Sequence, residues 1–338
     1  MLEPRGAAGE AESVEGLLLR VPARGGGAER GVAYNMLGMR VLAGEAARPA
    51  AGAGGGDAAA VAWFRRASAE GNGAAMHNLG VCIEDGRGAA ADAGEARAWY
   101  RRAAAHGSAA GQNSLGFGLM CEGRHTEARA ALELAVAQGN SDACFNLGSL
   151  LEHGAGGAPD AARAQQLYEA ASAAGCPKAM HRLGNMLYSG VAGAGGDGAS
   201  CARAFALFSR AAALGHAEAG NCAGLLLEAG EGVQADAARA RDAYATAAAR
   251  GSAAAAYNLA ALHEKERDVP AALRALRRAE ELGHPAAALD IERVRVCADE
   301  RRAAEAPLNE SCSAHSSASA LDGVLPGADL PGADPGTL

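Results

Sequence analysis

The sequence predicts an all-α protein built as a solenoid of stacked helical hairpins. A glycine recurs every 32 to 40 residues, a second small residue follows most of these glycines by nine positions, and the stretches between them carry apolar residues at helical spacing. A fixed period of this size is typical of repeats that bury their apolar faces only against their neighbours. The closing glycines are Gly71, Gly107, Gly139, Gly175, Gly215, Gly251 and Gly283.

The first helix of each unit carries a small residue on its apolar face. In the stretch 75–83, for example, Gly80 stands between Leu79 and Val81, and it has no side chain to hold a partner helix away. Equivalent positions hold Gly116, Gly148, Gly184, Gly224 and Ala260, and Gly38 marks a looser first copy. We therefore expect about seven hairpins, each with a tightly packed first helix.

The second helix of most units carries one bulky ring among alanines. Tyr100 lies between Ala96 and Ala103, and its counterparts are Tyr168, Phe208 and Tyr244. The pattern predicts that each ring fills a groove lined by small residues.

Polar residues and glycines mark the helix ends. Aspartates are predicted to precede the second helices, where a carboxylate accepts hydrogen bonds from unsatisfied N–H groups. Asp92 and Glu95 also have the spacing of a reciprocal capping box. The closing glycine suits the left-handed residue that ends a helix. The predicted capping aspartates are Asp57, Asp92, Asp160, Asp236 and Asp268.

The units divide the chain into three parts. We expect residues 1–30 to be a poorly ordered segment. Within it, Leu17 to Leu19 is too short a run for a signal or membrane span. Residues 31–305 form the solenoid. A terminal helix near 285–305 is predicted to close it, because apolar residues with one inward face stand there among many charges: Leu289, Ile291, Val294, Val296 and Cys297. Residues 306–338 form a Ser/Gly/Pro-rich tail with too few large apolar groups to fold.

Composition narrows the classes of partner and the compartment. A formal net charge of -8 argues against a nucleic acid or an anionic membrane as partner. The eight cysteines occupy different repeat positions, which favours reduced thiols and, with no recognisable leader, a cytoplasmic protein.

The leucine–glycine pairs, the loop from Gly230 to Asp236 and the stretch Trp99-Tyr100-Arg-Arg-Ala-Ala resemble the Sel-1-like repeat family, relatives of tetratricopeptide repeats. The resemblance covers roughly residues 31 to 300. The units ending at Gly139 and Gly283 are shorter and closer to ordinary tetratricopeptide repeats. The resemblance implies a right-handed α-α superhelix whose first helices line a concave, protein-binding surface. It therefore implies a non-enzymatic scaffold or adaptor for a peptide or protein.

Motifs for catalysis and cofactors give little support to other functions. Bacterial relatives have been linked to β-lactam hydrolysis, so a β-lactamase-like hydrolase is the alternative function. That chemistry uses a serine nucleophile with a lysine three positions later, and neither Lys178 nor Lys265 follows a serine at this distance. The run from Gly193 to Gly198 spells a dinucleotide fingerprint but follows a helix rather than a strand, so no cofactor is predicted. His77 and His181 share a repeat position but lie repeats apart, and we predict no metal site.

A polar row in the first helices supplies the candidate binding residues. The position just before each leucine–glycine pair holds Asn78, Ser114, Asn146, Arg182, Cys222 and Asn258. In tetratricopeptide cochaperones that clamp a carboxylate, this row supplies Asn and then Arg, with Lys four residues before that Arg; Asn146, Lys178 and Arg182 are similar. Asn113 and Phe117 stand where that clamp would place lysine and asparagine.

This resemblance leaves two interpretations open. Lys178 and Arg182 are either part of a site for an acidic peptide or a solvated basic pair one helical turn apart. The predicted partner-binding residues are Asn78, Phe145, Asn146, Lys178, Arg182, Tyr257 and Asn258, with Phe145 and Tyr257 as apolar anchors.

Overall fold

A computed structural model describes residues 26–44, 56–191 and 197–305 of the chain. These residues form fifteen α-helices and no strand. The expectations for 1–25, for 306–338 and for most of the glycine-rich run 193–198 lie outside the described residues. The helices are α1 (Gly27–Leu42), α2 (Gly56–Ala69), α3 (Gly73–Glu84), α4 (Ala93–Ala105), α5 (Ala109–Cys121), α6 (His125–Ala137), α7 (Ser141–His153), α8 (Ala161–Ala173), α9 (Pro177–Ser189), α10 (Gly198–Ala213), α11 (Ala217–Ala229), α12 (Ala237–Ala249), α13 (Ala253–Lys265), α14 (Val269–Glu281) and α15 (Ala287–Glu305).

The helices pair into seven successive hairpins, followed by α15. Each odd-numbered helix from α1 to α13 packs most extensively against the even-numbered helix that follows it. Odd-numbered helices of neighbouring hairpins also contact one another, as α3 does α5, whereas no two even-numbered helices of the described residues approach as closely. The odd-numbered helices therefore lie on the inner side of a helical-repeat superhelix, which confirms the predicted all-α fold.

The small residue of each inner helix lies directly beneath a large side chain of its partner helix. A Cβ atom added at Gly148 would lie 2.8 Å from the ring of Tyr168, and one added at Gly184 would lie 2.5 Å from the ring of Phe208. Both rings are almost fully buried. The predicted ring-in-groove packing is confirmed, and in the shorter third hairpin Leu132 takes the place of the ring over Gly116.

Four of the five predicted aspartates cap their second helices in the predicted way. Asp92, Asp160, Asp236 and Asp268 each accept a hydrogen bond from a first-turn N–H group. The prediction for Asp57 is wrong in register, because α2 begins at Gly56 and Asp57 lies inside its first turn.

The reciprocal half of the predicted capping box is not formed. Oδ1 of Asp92 accepts from the backbone N–H of Glu95 at 3.0 Å, as expected. The Glu95 carboxylate instead accepts from the indole N–H of Trp99 at 3.2 Å, and the backbone N–H of Asp92 donates to the carbonyl of Ile83. The Glu95 side chain therefore bonds to Trp99, one turn later in α4, and not back to the N–H of Asp92.

The closing glycines all adopt the left-handed conformation, with φ between 77° and 100°. After α4, for example, Gly107 has φ 77° and the N–H of Ser108 bonds to the carbonyl of Ala103 at 3.0 Å. This pattern satisfies carbonyl groups that the helix leaves without a partner. The glycine period therefore records the helix ends, as predicted.

No helix in the described parts of the chain is both long enough and apolar enough to cross a membrane.

Candidate functional site

The inner helices of neighbouring hairpins are joined by a ladder of polar side chains. We define the ladder as two adjacent positions in each odd-numbered helix from α1 to α13. The second ladder position is the predicted polar row, and the first is the residue before it. In the described structure, the second position of one hairpin contacts the first position of the preceding hairpin at every joint except that between the fourth and fifth hairpins. The first positions are Asn35, His77, Asn113, Phe145, His181, Asn221 and Tyr257; the second are Met36, Asn78, Ser114, Asn146, Arg182, Cys222 and Asn258.

The three asparagines predicted to line the site are all part of this ladder. Nδ2 of Asn78 donates to Oδ1 of Asn35 at 3.0 Å. Nδ2 of Asn146 donates to Oδ1 of Asn113 at 2.9 Å, and the same bond joins Asn258 to Asn221 at 2.8 Å. Each carboxamide therefore holds two hairpins in register and has only its remaining donor and acceptor capacity for a ligand.

The ladder is interrupted between the fourth and fifth hairpins. Phe145 packs against the ring of Tyr168, with centroids 5.9 Å apart, and makes no ladder hydrogen bond. Nε of Arg182 lies 3.8 Å from Oε2 of Glu152, so this guanidinium faces a carboxylate of the preceding hairpin. The Arg182 side chain is 35% exposed. Arg182 therefore has an internal partner, unlike a free basic residue.

A groove of about 600 Å³ opens beside this interruption. It brings together Phe145, Asn146 and Lys178 of the predicted set, together with Asn113, which bonds to Asn146. Arg182 is not among its lining residues. The groove is lined by Asn113, Phe117, Asp142, Phe145, Asn146, Cys176, Pro177, Lys178, Leu214, Gly215 and His216.

Two of the groove residues are large, apolar and exposed. Phe117 on α5 is 55% exposed, and Leu214 at the end of α10 is 54% exposed. With half-buried Phe145 between the hairpins that carry them, they give the groove apolar walls supplied by three successive hairpins. An isolated exposed apolar residue needs no explanation, but several around one concavity are typical of a binding site.

The groove carries one ammonium group and one carboxylate at its rim. Lys178 lies in the first turn of α9, is exposed, and forms no hydrogen bond or ion pair within the described residues. Asp142 lies in the first turn of α7 and is also exposed. Burial lowers the pKa of His216, nearby Glu218 partly offsets this effect and the Lys178 charge adds to it, and the lowered pKa favours the neutral imidazole near pH 7.

A thiol and an imidazole meet next to the groove. Sγ of Cys222 lies 3.6 Å from Nε2 of His181, and the His181 ring lies 4.8 Å from the ring of His216, centroid to centroid, with the two planes tilted by 33°. Burial raises the pKa of Cys222 to about 11, while burial, His216 and Arg182 lower the pKa of His181 to about 4. Both groups are therefore neutral near pH 7. A thiolate–imidazolium pair, which nucleophilic catalysis would need, does not form here.

The remaining predicted residues lie at the two ends of the array. Asn78 joins the first two hairpins. The Tyr257 hydroxyl donates to Oδ2 of Asp290 at 2.5 Å, and its ring stacks on His284 at 4.1 Å. Tyr257 and Asn258 therefore fasten the last hairpin to its neighbours, away from the groove.

Sequence reasoning missed Leu214 as a groove residue. The residue before a closing glycine is Glu70, His106, Gln138, Ala174 or Arg250 in other hairpins, and Leu282 in the last. A large apolar side chain at this solvent-facing position in the fifth hairpin was the available signal.

Comparison with protein-family models matches the Sel1 repeat six times. The matched residues are 32–72, 73–108, 141–176, 177–216, 221–252 and 253–290. The matches cover well over half of the chain and leave out 109–140, the short hairpin in which Leu132 replaces the ring. A comparison with curated proteins finds no match.

Two solved structures show the same architecture. One is a protective antigen present in uropathogenic Escherichia coli strains that displays an SLR fold, with 28% identity and a TM-score of 0.62 over 78% of this chain. The alignment spans only 56% of the E. coli protein. The other is a Sel1 repeat protein from Oxalobacter formigenes, with 23% identity and a TM-score of 0.60 over 73% of this chain and 96% of that one.

Proposed function

The chain belongs to the Sel1 repeat family, whose arrays are generally protein-interaction scaffolds, and from this premise we propose that it is a non-enzymatic scaffold that holds a peptide or extended protein segment in the groove. The observation that carries the proposal is the convergence of Phe117, Phe145 and Leu214 from three hairpins around one concavity. The inner side of a repeat superhelix suits an extended segment, because successive hairpins can contact successive residues of it.

The rim of the groove favours an acidic segment with an apolar side chain. Lys178 is the groove's cation without an ion-pair partner among the described residues, so a carboxylate of the ligand can approach it without displacing an internal bond. The apolar side chain would lie between Phe117 and Leu214, where its burial supplies most of the binding free energy. Asn146 and Asn113 would contribute the hydrogen-bonding capacity that the ladder leaves over.

The proposal places the protein in the cytoplasm. The seven cysteines of the described residues are all free, and Cys82, Cys144 and Cys201 are buried in the stack. Reduced, scattered thiols are typical of proteins in reducing compartments. Fractionation of cells that express the tagged full chain tests this part separately, and recovery in an oxidising compartment would contradict it.

The binding proposal can be tested by selecting ligands from a displayed library of random dodecapeptides on the immobilised full chain. Peptides that are enriched would then be synthesised with a fluorescent label and titrated by fluorescence polarisation. We expect enriched sequences to combine Asp or Glu with one large apolar residue, and to lose binding to a Phe117→Ser variant.

The matched control is Leu134→Ser. Leu134 lies on α6, outside the groove, and is 57% exposed, close to the 55% of Phe117. Equal loss of binding in the two variants would mean that the peptide does not use the groove. A selection that enriches nothing over an unrelated protein would remove the proposal.

A further inference from the structure

The first and the last described helices both expose apolar side chains. On α1, Met36 and Met39 are 43% and 46% exposed. On α15, Leu289 and Val296 are 78% and 53% exposed. We call the first pair the α1 face and the second pair the α15 face. Repeat arrays usually end in polar surfaces that keep them soluble, so apolar side chains at both ends of the stack indicate contact surfaces.

The ladder positions continue into α15. Leu289 and Asp290 stand six and seven residues after Gly283, the same distances that separate the other ladder pairs from their closing glycines. The Tyr257 hydroxyl bonds to Asp290, which is the usual contact between a first ladder position and the second position of the next inner helix. Leu289 is therefore a first ladder position that no later helix of the described residues contacts.

The α1 helix carries the complementary position. Met36 is a second ladder position, and such a residue contacts the inner helix of the preceding hairpin, as Asn78 does when it bonds to Asn35. No helix precedes α1 in the part of the chain that the structure describes. In the register of the ladder, a helix that contacted Met36 would present the residue equivalent to Leu289.

A second pair of positions follows the same register. Glu264 lies seven residues after the first ladder position of α13, and Arg293 lies four residues after that of α15. The Arg293 guanidinium donates two hydrogen bonds of 3.0 Å to the Glu264 carboxylate. The residues at these two positions on the exposed faces are Val296 and Met39. Apolar side chains therefore take the place of a charged pair on both faces.

We propose that the α15 face of one chain packs on the α1 face of a second copy, so that Leu289 contacts Met36 and Val296 contacts Met39. The two faces lie at opposite ends of seven stacked hairpins and do not meet within one chain. A second copy fits them because the contact repeats the register of the internal joints, with matching apolar side chains on its two sides. The contact is independent of ligand binding in the groove.

This contact is head-to-tail, so each pair of chains still has one free face at either end. Such an interface allows chains of several copies to form. Standard protein interfaces involve about 20–30 residues on each side, and the two faces here are smaller. We therefore expect weak association that increases with protein concentration. It should persist in high salt, because burial of apolar surface rather than ion pairing favours it.

Sedimentation velocity of the full chain over a wide range of concentrations tests the proposal. The measurement is made under reducing conditions, so that exposed Cys121 and Cys297 do not link chains covalently. The weight-average sedimentation coefficient should rise with concentration at low and at high salt. A chain that stays monomeric at every concentration, or that associates only at low salt, would overturn the proposal.

Charge placed on either face should prevent this association. Leu289→Asp and Met36→Asp each remove one of the two faces, so each variant alone should stay monomeric. The matched control is Leu134→Asp, since Leu134 lies on α6, away from both ends, and is 57% exposed. The control should associate as the parent chain does. Monomeric behaviour of the control as well would show that added negative charge is responsible, and would contradict the proposal.

Mixing the two end variants tests the head-to-tail geometry. The Leu289→Asp variant keeps its α1 face and the Met36→Asp variant keeps its α15 face, so an equal mixture should form dimers and nothing larger. Recovery of dimers would also show that both variants are folded. Dimers of Leu289→Asp alone would mean that α1 pairs with α1, and a mixture that stays monomeric would mean that the two faces do not bind each other; either result would overturn the proposal.

Discussion

The hydroxyl of Tyr100 donates a 2.5 Å hydrogen bond to Oε2 of Glu84, sixteen residues earlier in the chain. Glu84 stands four residues after Gly80, the glycine beneath the Tyr100 ring, so the ring and its acceptor share one helix face. Equivalent bonds join Tyr168 to Glu152 at 2.7 Å and Tyr244 to Glu228 at 2.9 Å. Burial and the neighbouring carboxylate raise the pKa of all three tyrosines.

Hairpins that carry phenylalanine in place of this tyrosine have no carboxylate four residues after the glycine. Opposite Phe64 the corresponding residue is Leu42, and opposite Phe208 it is Tyr188. The ring and the residue beyond the glycine therefore vary together from hairpin to hairpin, because a buried hydroxyl needs an acceptor and a phenyl ring does not.

This pairing predicts the result of a double-mutant cycle at Tyr100 and Glu84. Tyr100→Phe should lower the free energy of unfolding by about 1 kcal/mol, because it leaves a partly buried carboxylate oxygen without its donor. In the background of Glu84→Leu, the same change should cost nothing or raise the free energy of unfolding, because the Tyr100 hydroxyl has lost its acceptor there. Urea denaturation followed by circular dichroism measures both. Equal costs in the two backgrounds would show that the hydrogen bond adds no stability.

The glycine beneath each ring predicts a contrast between two glycine-to-alanine changes. Gly148→Ala should lower the free energy of unfolding by about 1–3 kcal/mol, since the added Cβ would lie 2.8 Å from the Tyr168 ring and must push α7 from α8. Gly118→Ala is the control, because nothing lies within 4 Å of its added Cβ. It should raise stability by about 0.5–1 kcal/mol through helix propensity. Similar changes in the same direction would argue against close packing at Gly148.

The ladder predicts that Asn146 can be replaced by Asp but not by Ala. Asn146→Ala removes the bond to Asn113 and should cost about 1 kcal/mol, with faster hydrogen exchange in α5 and α7. Asn146→Asp keeps an acceptor there, and the Asn113 carboxamide can rotate to donate to it. The measurement is the hydrogen-exchange rate of the α5 and α7 amides in the two variants. Equal protection in both would mean that the bond does not hold the hairpins together.

The low pKa of His181 predicts a loss of stability in mild acid. In the folded chain its pKa is about 4, and in the unfolded chain it is near the ordinary value of 6.5. Between these values the unfolded chain binds more protons, so the free energy of unfolding falls as the pH drops from about 6.5 to about 4 and this contribution levels off below. Above pH 6.5 the contribution is fully present.

The measurement is the urea midpoint at pH 7 and pH 5 for the parent chain and for His181→Gln. The parent should lose more stability than the variant between the two pH values, and the difference isolates His181 from other titrating groups. The charged and polar groups around this ring are His216, Arg182, Glu218, Cys222 and Asn185. The same loss in both proteins would contradict the assigned pKa.

The proposed role of Lys178 predicts that reversing its charge weakens the binding of an acidic peptide. Lys178→Glu should raise the Kd by about tenfold or more, and this penalty should shrink in high salt because the contact lies at an exposed rim. Arg203→Glu makes the same charge change on an exposed part of α10 outside the groove. Fluorescence polarisation at two salt concentrations compares them. A penalty shared by both variants would indicate only a general effect of net charge.

The sequence predicts the hairpins well because their determinants are local. The closing glycines, the aspartate caps and the glycine beneath Tyr168 all lie within one repeat, and a period of 32 to 40 residues displays them repeatedly. Asp57 falls one position inside its helix, since a capping residue and a first-turn acid look alike in sequence.

The groove is less predictable because it depends on how separate hairpins come together. The polar row containing Asn146 is visible in the sequence, but its bond to Asn113 depends on the register between two inner helices. Leu214 joins Phe117 only because the end of α10 turns toward α5, across nearly a hundred residues of chain. Neither the composition nor the residue spacing therefore predicts that these two side chains come together.

The interruption of the ladder at Phe145 and Arg182 has a mechanical consequence. Other neighbouring hairpins are joined by a side-chain hydrogen bond or a thiol–imidazole contact at this register, whereas at this joint Phe145 packs within its own hairpin and the polar contact is one long ion pair between Arg182 and Glu152. The fifth hairpin also begins at Cys176, whose side chain caps nothing. The apolar core continues across this joint, so the hairpins stay packed, and we expect the missing ladder contact to leave the relative tilt of the two inner helices freer to adjust to a segment seated in the groove.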